Sequence, residues 1–536
     1  MTKTGLFSVL MVYLMFSSDI GDGAKFLLPA TSMLSLPSHY MGLTTITQVL
    51  VKRGHEVVLL IIDKKSLKGF RPESYTSNIT FPNSLSDEEV SDMYKIRRTV
   101  MSDFKNSTYM ELVNSPVMAE FDRLMYFGCF ELFKSDDTLR KLKEERFDMM
   151  FTFPVTDFCD AALAAYLDVP YILLSGTRRL PTFTEDNAGI PIPNSYVPFS
   201  SFTPSLTDKM NFFDRLKNAF YHYGVHYIFE YFSIYRPLRQ LQTTYNIRLD
   251  LTPWQMVSRA ELWLCHNSWA LEYPRPIGPN WIPIPGYTIE EPKPLPEDLE
   301  TFVRGSGEHG FILFTLGSMT ASLGTDTFND MFSKVFSELP YRVIWRLVGP
   351  SPRFLGNNTL IQEWLPQNDL LAHPKARLLI YHAGSAGVHE AINYGVPMLL
   401  LPLAGDQGAN ANLVAEKGMG ISLDLNHLNE DIIRTAIHDV LNDKRYKDNV
   451  VKASGILRDR LAGPLDTAIF WIEHVVKFGG DHLRLRSTEM GFIELNSLDV
   501  VAFLVVLSLT ILYVDYLIVR GCYRCLCKRA RKQKSD

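Results

Sequence analysis

The sequence WLPQNDLLAHPKARLLIYHAGSAGVHEAINYGVPMLLLPLAGDQ, from Trp364 to Gln407, decides the fold of this chain. It holds two short and continuous apolar runs, residues 378–381 and 398–401, which are typical of parallel strands buried on both faces. A glycine-containing turn and a segment of helical length lie between them. The stretch therefore predicts a strand, a turn, a helix and a second strand, the repeating unit of an open α/β sheet.

The turn between these strands is predicted to bind an anion. Its sequence, HAGSAG at 382–387, leaves a strand and opens a helix, where free backbone N–H groups and the helix dipole attract a phosphate. Glu390 lies about two helical turns further on. Asp406 and Gln407 follow the second strand, at the carboxyl-end edge where open α/β sheets bind ligands. These polar groups are expected to converge on one crevice.

Length and charge limit the class of the protein. With 536 residues the chain is too long for one ordinary core, so two domains of roughly 200 to 250 residues are expected. A net charge of -5 offers no extended basic face of the kind that holds nucleic acid. No nucleic-acid partner is therefore expected.

Apolar segments lie near both ends of the chain. Residues 1–23 match a secretory signal peptide with a short apolar run. Residues 500–519 are almost wholly apolar and have the length of about 20 residues that a membrane helix needs. The tail at 520–536 is rich in lysine and arginine, so the positive-inside rule predicts a cytosolic tail and a lumenal body. Three sequons agree with this orientation, and they begin at Asn78, Asn106 and Asn357.

The first domain is predicted to span 24–273. It opens with strands at 25–28 and 57–62 on either side of a helix at 44–52. The region 78–146 is charged and has no clean period, so it is interpreted as variable insertions.

Two ionisable side chains of this domain are predicted near the ligand-binding edge of its sheet. His39 is expected in the loop between the first strand and the first helix. Asp157 precedes a predicted alanine-rich helix at 160–167, where the helix dipole favours an acid. Spacing alone favours a structural role for each residue over a catalytic one.

The segment 212–235 is dense in aromatic residues. We interpret it first as core. On a membrane-anchored protein it could also line an apolar acceptor pocket or touch the bilayer face.

A proline-rich stretch at 274–299 separates the two domains. It carries eight prolines, too many for regular structure, and is predicted to be an extended linker. The second domain follows at 300–485.

The six cysteines predict no disulfide framework. Three fall in the predicted lumenal part, so at most one bridge forms among them. The other three directly follow the predicted membrane helix, where plain thiols or reversible palmitoylation are favoured over a zinc site. The three predicted lumenal cysteines are Cys129, Cys159 and Cys265, and the three that follow the membrane helix are Cys522, Cys525 and Cys527.

Several motifs in the second half stand in register with those of a known family. They are Trp364-Leu365-Pro366-Gln367-Asn368, His382-x-Gly384, Glu390, Gly395-Val396-Pro397, Pro402 and Asp406-Gln407. On these motifs the chain resembles the membrane-bound UDP-glycosyltransferases of the animal UDP-glucuronosyltransferase family. The resemblance implies two Rossmann-like α/β domains facing across a cleft (the GT-B arrangement) and one C-terminal transmembrane helix. The N-terminal domain would hold an apolar acceptor, and the C-terminal domain a UDP-sugar.

The resemblance also implies how the nucleoside is bound. Trp364 would stack on uracil, and Gln367 would form hydrogen bonds near it. Glu390 would accept from the ribose hydroxyls, as the acid of a dinucleotide site does. Arg346, at the end of a predicted strand, would be the family's cation near the nucleotide.

Other residues would hold the diphosphate and the sugar. His382, Ser318 and the amides from Gly384 to Gly387 would bind the diphosphate. Asp406 and Gln407 would form hydrogen bonds with the sugar hydroxyls, which excludes hexoses that leave these groups unpaired.

By the same resemblance His39 is the general base. It would take the proton of an acceptor hydroxyl as that oxygen attacks the anomeric carbon opposite UDP, with inversion. The carboxylate that usually orients this histidine aligns with Phe153, and a shift of the alignment would bring Asp157 into the role. Two further departures are Ala383, in place of a glycine, and Ala386, in place of an asparagine.

Gln407 favours a gluco-configured donor, because family members that use galactose tend to carry histidine there. UDP-glucuronic acid or UDP-glucose is thus expected as donor and a small lipophilic alcohol or phenol as acceptor. The segments 356–359 and 417–420 are closer to ceramide galactosyltransferases, which leaves open a sphingolipid or sterol galactosyl- or glucosyltransferase. Phe153 and Ala386 leave open a UDP-sugar-binding relative of weakened activity.

The sequence lacks an Asp-x-Asp pair, which metal-dependent sugar transferases use on a diphosphate, so no metal cofactor is expected. Lys532 and Lys534 resemble a dilysine signal for retrieval to the endoplasmic reticulum. A single-span membrane protein with lumenal domains is therefore predicted, and a homo-oligomer is left open.

Overall fold

Strands in the described part of the chain form a seven-stranded and a six-stranded sheet, each wholly parallel. The structure, a computed structural model, describes residues 23–31, 37–63, 70–90, 92, 126–152, 157–175, 185–199, 206–226, 228, 231–317, 326–403 and 405–532. The chain divides into two compact units, Met1–Arg484 and Leu485–Asp536, and both sheets belong to the first. The predicted α/β class is confirmed.

The strands are β1 (Lys25–Ala30), β2 (Glu56–Ile62), β3 (Ser77–Phe81), β4 (Met149–Thr152), β5 (Tyr171–Ser175), β6 (Leu262–Cys265), β7 (Trp281–Pro283), β8 (Phe311–Thr315), β9 (Arg342–Arg346), β10 (Thr359–Gln362), β11 (Ala376–Tyr381), β12 (Met398–Leu400) and β13 (Gly420–Ser422). The first sheet has the order β3-β2-β1-β4-β5-β6-β7, and the second has the order β10-β9-β8-β11-β12-β13.

The helices are α1 (Pro37–Lys52), α2 (Asp136–Glu144), α3 (Asp157–Leu167), α4 (Phe212–Phe220), α5 (Arg236–Tyr245), α6 (Pro253–Val257), α7 (Glu297–Arg304), α8 (Asp326–Ser337), α9 (Gln367–Ala372), α10 (Ser385–Asn393), α11 (Gln407–Glu416), α12 (Glu430–Asn442), α13 (Lys444–Arg458), α14 (Pro464–Phe478), α15 (Phe492–Leu495) and α16 (Leu498–Lys532).

The second sheet is buried on both faces. In β8 every residue is buried, and Leu313 and Phe314 belong to apolar clusters on opposite faces of the sheet. β11 pairs with β8, with Leu379 opposite Leu313. Strands covered on both sides read as continuous apolar runs, which is why the sequence predicted them.

In the first sheet, β1 and β4 are neighbours, with Phe26 opposite Met149. α1 follows β1 and α3 follows β4, so these helices begin beside each other at the carboxyl ends of the two strands. α1 begins at Pro37, so the prediction of a loop at His39 was wrong. Proline suits the first turn of a helix, since its fixed φ matches and its missing N–H is not needed there. Asp157 is the first residue of α3 rather than a residue ahead of it.

The interpretation of 78–146 as insertions was wrong for its beginning. β3 runs parallel to β2 at the edge of the first sheet, with Asn78 opposite Leu59. Its residues SNITF are largely exposed except for Phe81. An edge strand with this polar sequence lacks the apolar run by which buried strands are found.

The proline-rich stretch 274–299 is not wholly a linker. β7 lies within it and pairs with β6 at the sheet edge, where proline is tolerated because no ladder hydrogen bond is needed on the outer side. Further on, the backbone N–H of Lys293 donates to Asp369 on α9 at 3.0 Å. The segment is therefore held both by the first sheet, through β7, and by α9, which lies in the half of the unit that contains the second sheet.

The last helix of this unit returns to the first sheet. Ile469 and Ile472 of α14 are buried in one apolar cluster with Phe26 of β1. Arg53 also donates to Glu473 of α14 at 2.6 Å. Part of the range 300–485, assigned to the second domain from chain position, thus packs on the first sheet.

One disulfide joins Cys129 to Cys159, and Cys265 is a buried free thiol. A single bridge agrees with the prediction of at most one.

α16 carries the candidate membrane span. Residues Leu498–Arg524 are long and apolar enough to cross a bilayer, and their side chains are exposed. At 1.5 Å per residue the helix reaches about 40 Å, more than the roughly 30 Å hydrocarbon layer. Residues 1–22 of the predicted signal peptide lie outside the described residues.

The interpretation of 212–235 as core was wrong. Six of its aromatic side chains are more than half exposed, namely Phe212, Phe213, Phe220, Tyr223, Tyr231 and Phe232. On α4 the buried residue is Asn218, which accepts from the N–H of Phe199 and donates to the carbonyl oxygen of Val197. Because a polar side chain anchors the inner face of this helix, its aromatic side chains face outward.

Candidate functional site

Four adjacent strands of the second sheet end at one edge, and predicted site residues lie there. Gly317 follows β8, Arg346 ends β9, His382 follows β11, and Asp406 comes after β12. The strand order β9-β8-β11-β12 places these ends side by side. Carboxyl ends of parallel strands are where open α/β sheets bind ligands.

His382 is enclosed by glycine backbone. A Cβ on Gly317 would lie 2.3 Å from Cε1 of His382, and a Cβ on Gly384 would lie 2.7 Å from its Nε2. The ring therefore packs directly on main chain that tolerates no side chain. Burial lowers the pKa of His382 to about 3, and the nearby Arg346 adds to the effect. His382 is neutral at physiological pH and offers hydrogen bonds, not charge.

Arg346 supplies the positive charge beside His382. Its Nη1 donates to the carbonyl oxygen of Gly317 at 2.5 Å, and its guanidinium carbon lies 5.4 Å from the ring centroid of Trp364. The Trp364 side chain is 58% exposed, so one large aromatic face is open to a ligand. Within the described residues, Nε of Arg346 and Nδ1 of His382 are buried without a hydrogen-bond partner. Buried polar atoms are normally paired, and a bound ligand could pair these.

Gln367 and Glu390 form a polar pair between α9 and α10. Nε2 of Gln367 donates to Oε2 of Glu390 at 2.6 Å. Burial raises the pKa of Glu390 to about 7, and the hydrogen bond from Gln367 opposes the shift. Glu390 therefore changes charge near neutral pH.

Tyr381 connects the two ends of the site. Burial raises the pKa of Tyr381, and the negative charges of Glu390 and Asp406 raise it further. The Tyr381 hydroxyl is therefore close enough to both carboxylates to interact with them electrostatically. A Cβ on Gly387 would lie 2.4 Å from Cζ of Tyr381. Glycine at this position lets the phenol ring pack against the first turn of α10.

The residues after β12 are held by hydrogen bonds. Nδ2 of Asn410 donates both to Oδ2 of Asp406 at 2.9 Å and to the carbonyl oxygen of Ala383 at 3.0 Å. Oε1 of Gln407 accepts from the N–H of Leu403 at 2.8 Å, which fixes the plane of its amide. Asp406 is thus tied to the turn that precedes α10.

The turn before α10 is suited to an anion. Gly384 is the N-cap of the helix and provides no side-chain cap, so no capping side chain occupies the N–H groups of the first turn. Ala383 has a φ of +64°, in the left-handed region that glycine adopts without strain. A residue with a Cβ in this region costs about 1–2 kcal/mol relative to glycine.

Three predicted site residues lie wholly or partly outside the described part of the chain. Ser318 lies outside the described residues. His39 and Asp157 are placed in the first turns of α1 and α3, but their side chains lie outside the described part of the chain. Among the described residues, no three His, Cys, Asp or Glu side chains are arranged to hold a metal ion.

The sequence analysis missed a second carboxylate near α1. Asp160 is 1% exposed and accepts from the hydroxyl of Thr152 at 2.8 Å. Burial raises the pKa of Tyr40, the residue after His39, and the charge of Asp160 raises it further. Asp160 therefore lies near the first turn of α1. Its position three residues after Asp157 was the signal available in the sequence.

Asn410 was also missed. It lies four residues after Asp406, the N-cap of α11, so the two side chains lie on the same side of the first helical turn. That spacing was the signal that could have revealed it.

Two parallel sheets, with predicted site residues at the strand ends of the second, fit the GT-B fold. Solved structures agree with this fold. The glycotransferase of kitacinnamycin has a TM-score of 0.57 and 15% identity, covering 85% of this chain and 100% of that chain. SnogD, a glycosyltransferase from Streptomyces nogalater, has a TM-score of 0.54 and 16% identity, covering 84% and 99%.

The family model described as UDP-glucoronosyl and UDP-glucosyl transferase matches residues 31–534. UDP-glucuronosyltransferase 2B7 of Homo sapiens is 33% identical over 533 residues, 98% of each chain. UDP-glucuronosyltransferase 1A1 of Mus musculus is 33% identical over 504 residues, 93% of this chain and 92% of the relative. The chain belongs to this family and is a UDP-glycosyltransferase. Its relatives and its apolar C-terminal helix support a membrane-anchored protein.

The charge of Glu390 gives a testable pH dependence. We expect the affinity for a UDP-hexose to increase as the pH rises through about 7, the value to which burial raises the pKa of Glu390. If Glu390 binds the ribose as predicted, its carboxylate accepts from the ribose hydroxyls more strongly than the protonated acid does. A UDP-hexose is the suitable probe because its diphosphate, esterified at both ends, does not titrate in this range.

The measurement is equilibrium binding without acceptor, from pH 6 to 8. In Glu390→Gln the affinity should be lower and independent of pH. A variant that kept the wild-type profile would show that another group controls the pH dependence.

Proposed function

We propose that this enzyme transfers glucuronic acid or glucose from a UDP-sugar to a hydroxyl of a small lipophilic acceptor. The observation that carries the proposal is the Gln367–Glu390 pair together with exposed Trp364, which lies against Arg346 at the strand ends where the His382 turn lies. Aromatic stacking, a ribose-binding acid and an anion-binding turn are the groups that a uridine diphosphate needs. The names of the relatives, which are glucuronosyltransferases, support glucuronic acid.

In the proposed reaction His39 acts as general base. It accepts the proton of the acceptor hydroxyl while the oxygen bonds to the anomeric carbon on the face opposite UDP. The bond from that carbon to the diphosphate oxygen breaks, and UDP leaves with its electron pair. Arg346 and the N–H groups of the first turn of α10 stabilise the charge that develops on the diphosphate. Asp157 is the proposed orienting carboxylate, and no metal takes part.

The residues that follow β12 are proposed to determine which sugar is bound. Asp406 and Gln407 would meet its hydroxyls, and the hydrogen bond from Leu403 to Gln407 fixes which group of that amide points away from the backbone. Glucose and galactose differ in the orientation of one hydroxyl. A fixed amide that pairs with one orientation leaves a buried group unpaired with the other.

The exposed aromatic side chains of 212–235 support an apolar partner. With the core interpretation removed, the alternatives are an acceptor pocket and the bilayer face, and either would bring lipophilic acceptors to this domain. We propose an endoplasmic reticulum membrane protein with its first unit in the lumen. The sequon residues Asn78 and Asn357 are both exposed, which supports that side of the membrane.

A donor panel tests the proposal. Membranes containing the full chain are given UDP-glucuronate, UDP-glucose or UDP-galactose with phenols, sterols or ceramide, and UDP release is measured. We expect one of the gluco-configured donors to give kcat/KM about tenfold or more above UDP-galactose, in line with the loss of one well-placed hydrogen bond.

Gln407→His is the matched variant, and it should narrow this ratio. A preference of the wild-type protein for UDP-galactose would overturn the choice of donor. Binding of UDP without turnover of any pair would overturn the transferase proposal in favour of a binding protein.

A further inference from the structure

Two buried histidines stack where the first sheet meets the second. His266 follows β6 of the first sheet, and His389 lies on α10 beside the second. Their ring centroids are 4.0 Å apart and their planes differ by 24°. The two residues are 3% and 2% exposed. A ring contact this close joins the two halves of the unit at one defined point.

Ser385 contacts both rings. Its hydroxyl oxygen lies 3.3 Å from Nδ1 of His266, and its carbonyl oxygen lies 2.9 Å from Nδ1 of His389. Because a carbonyl only accepts, Nδ1 of His389 carries a hydrogen. Ser385 is the first residue of α10, so its own N–H belongs to the turn proposed to hold the diphosphate. One residue of the donor turn is thus held on two sides by imidazole rings.

The same contacts continue into the first sheet. The ring of Tyr287 meets His266 edge-on at 5.1 Å. The Tyr287 hydroxyl in turn packs on the backbone of α1, since a Cβ on Gly42 would lie 2.4 Å from it. Gly42 is three residues after His39. Buried contacts therefore run from the helix of the proposed base to the proposed diphosphate turn.

We propose that His266 is a positioning residue of the donor site. It acts through Ser385, holding the first turn of α10 in the orientation that binds the diphosphate, although it belongs to the half proposed to hold the acceptor. This inference rests on the proposed function. His389 supports the same residue from within α10, and its ring gives His266 a surface to pack on.

The test is UDP binding by the full chain in detergent, measured by calorimetry. His266→Phe keeps a flat ring against His389 but loses the contact with the Ser385 hydroxyl, and UDP affinity should fall about tenfold. His266→Asn restores a polar atom near the position of Nδ1 and should recover most of the affinity. In turnover assays His266→Phe should raise the KM for the donor more than it lowers kcat.

A double-mutant cycle shows whether His266 acts through Ser385. Ser385→Ala should lose a similar factor, and the double variant should bind UDP no more weakly than either single variant. Independent, multiplying effects would overturn the proposal.

His55→Phe is the matched control. His55 is also buried, accepts on Nδ1 from the N–H of Ala24 at 3.1 Å and meets the ring of Phe26 edge-on, but it lies just before β2, away from the predicted donor site. The His55→Phe variant should have a lower melting temperature and an unchanged affinity for UDP. An unchanged UDP affinity in His266→Phe would refute the positioning role. Failure of the wild-type protein to bind UDP would refute the proposed function instead.

Discussion

His39→Ala is expected to lower turnover by a factor of about 10²–10⁴ while leaving the affinity for UDP unchanged. The first turn of α1 lies at the carboxyl end of β1, in a different sheet from the residues proposed to hold the donor. Removing the imidazole therefore takes away the proton acceptor and leaves the donor site intact. Turnover with a phenol acceptor and calorimetry with UDP measure the two effects separately.

Variants of two carboxylates test which of them orients the proposed base. Asp157→Asn should reduce kcat strongly if Asp157 holds the imidazole, because loss of such a partner costs orders of magnitude in rate. Asp160→Asn is the comparison, since Asp160 is buried and its charge reaches Tyr40. A variant of Asp157 with full activity would remove it from the mechanism and leave Asp160 as the carboxylate to consider. Full activity in His39→Ala would end the general-base proposal.

The second sheet and the turn before α10 were predictable because their sequence signal is local. The predicted anion-binding turn leaves a buried strand and opens a helix, so the residues from 378 to 390 carry the strand, the turn and the acid in one stretch. Burial on both faces made the strands continuous apolar runs, which periodicity detects.

Contacts between distant segments were not predictable from the same patterns. Arg346 meets Trp364 through the ends of separate elements, and His266 meets Ser385 across 119 residues. Hydrophobic periods and motif spacings report on neighbouring residues, so they do not predict contacts between residues this far apart in the sequence. Only the order of the strands brings these residues together.

In the first-sheet half, the sequence pattern predicted the wrong structure where polar residues take core positions. Asn218 fills the inner face of α4 and turns the aromatic residues outward, so counting aromatic residues gave the wrong interpretation. β3 was missed because an edge strand needs only one apolar anchor, here Phe81. In both places the burial of particular side chains decided the structure, and average hydrophobicity did not.

Gly317→Ala should weaken UDP binding about 100-fold or more, a loss of about 3 kcal/mol. The added Cβ would lie 2.3 Å from Cε1 of His382, and the backbone of Gly384 also packs closely on that ring. The imidazole must therefore move, or the backbone carbonyl that Arg346 donates to must shift. Either movement separates the groups proposed to bind the diphosphate. Calorimetry with UDP measures the loss.

Gly307→Ala separates this clash from backbone strain. Gly307 has a φ of +58° and Gly317 a φ of +84°, so alanine is strained in both, by about 1–2 kcal/mol. A Cβ on Gly307, however, meets no atom within 4 Å. Gly307→Ala should therefore lower the melting temperature and keep wild-type UDP affinity. Equal losses of affinity in the two variants would show that backbone strain alone weakens UDP binding. The close packing of Gly317 on His382 would then not be needed for the proposed donor site.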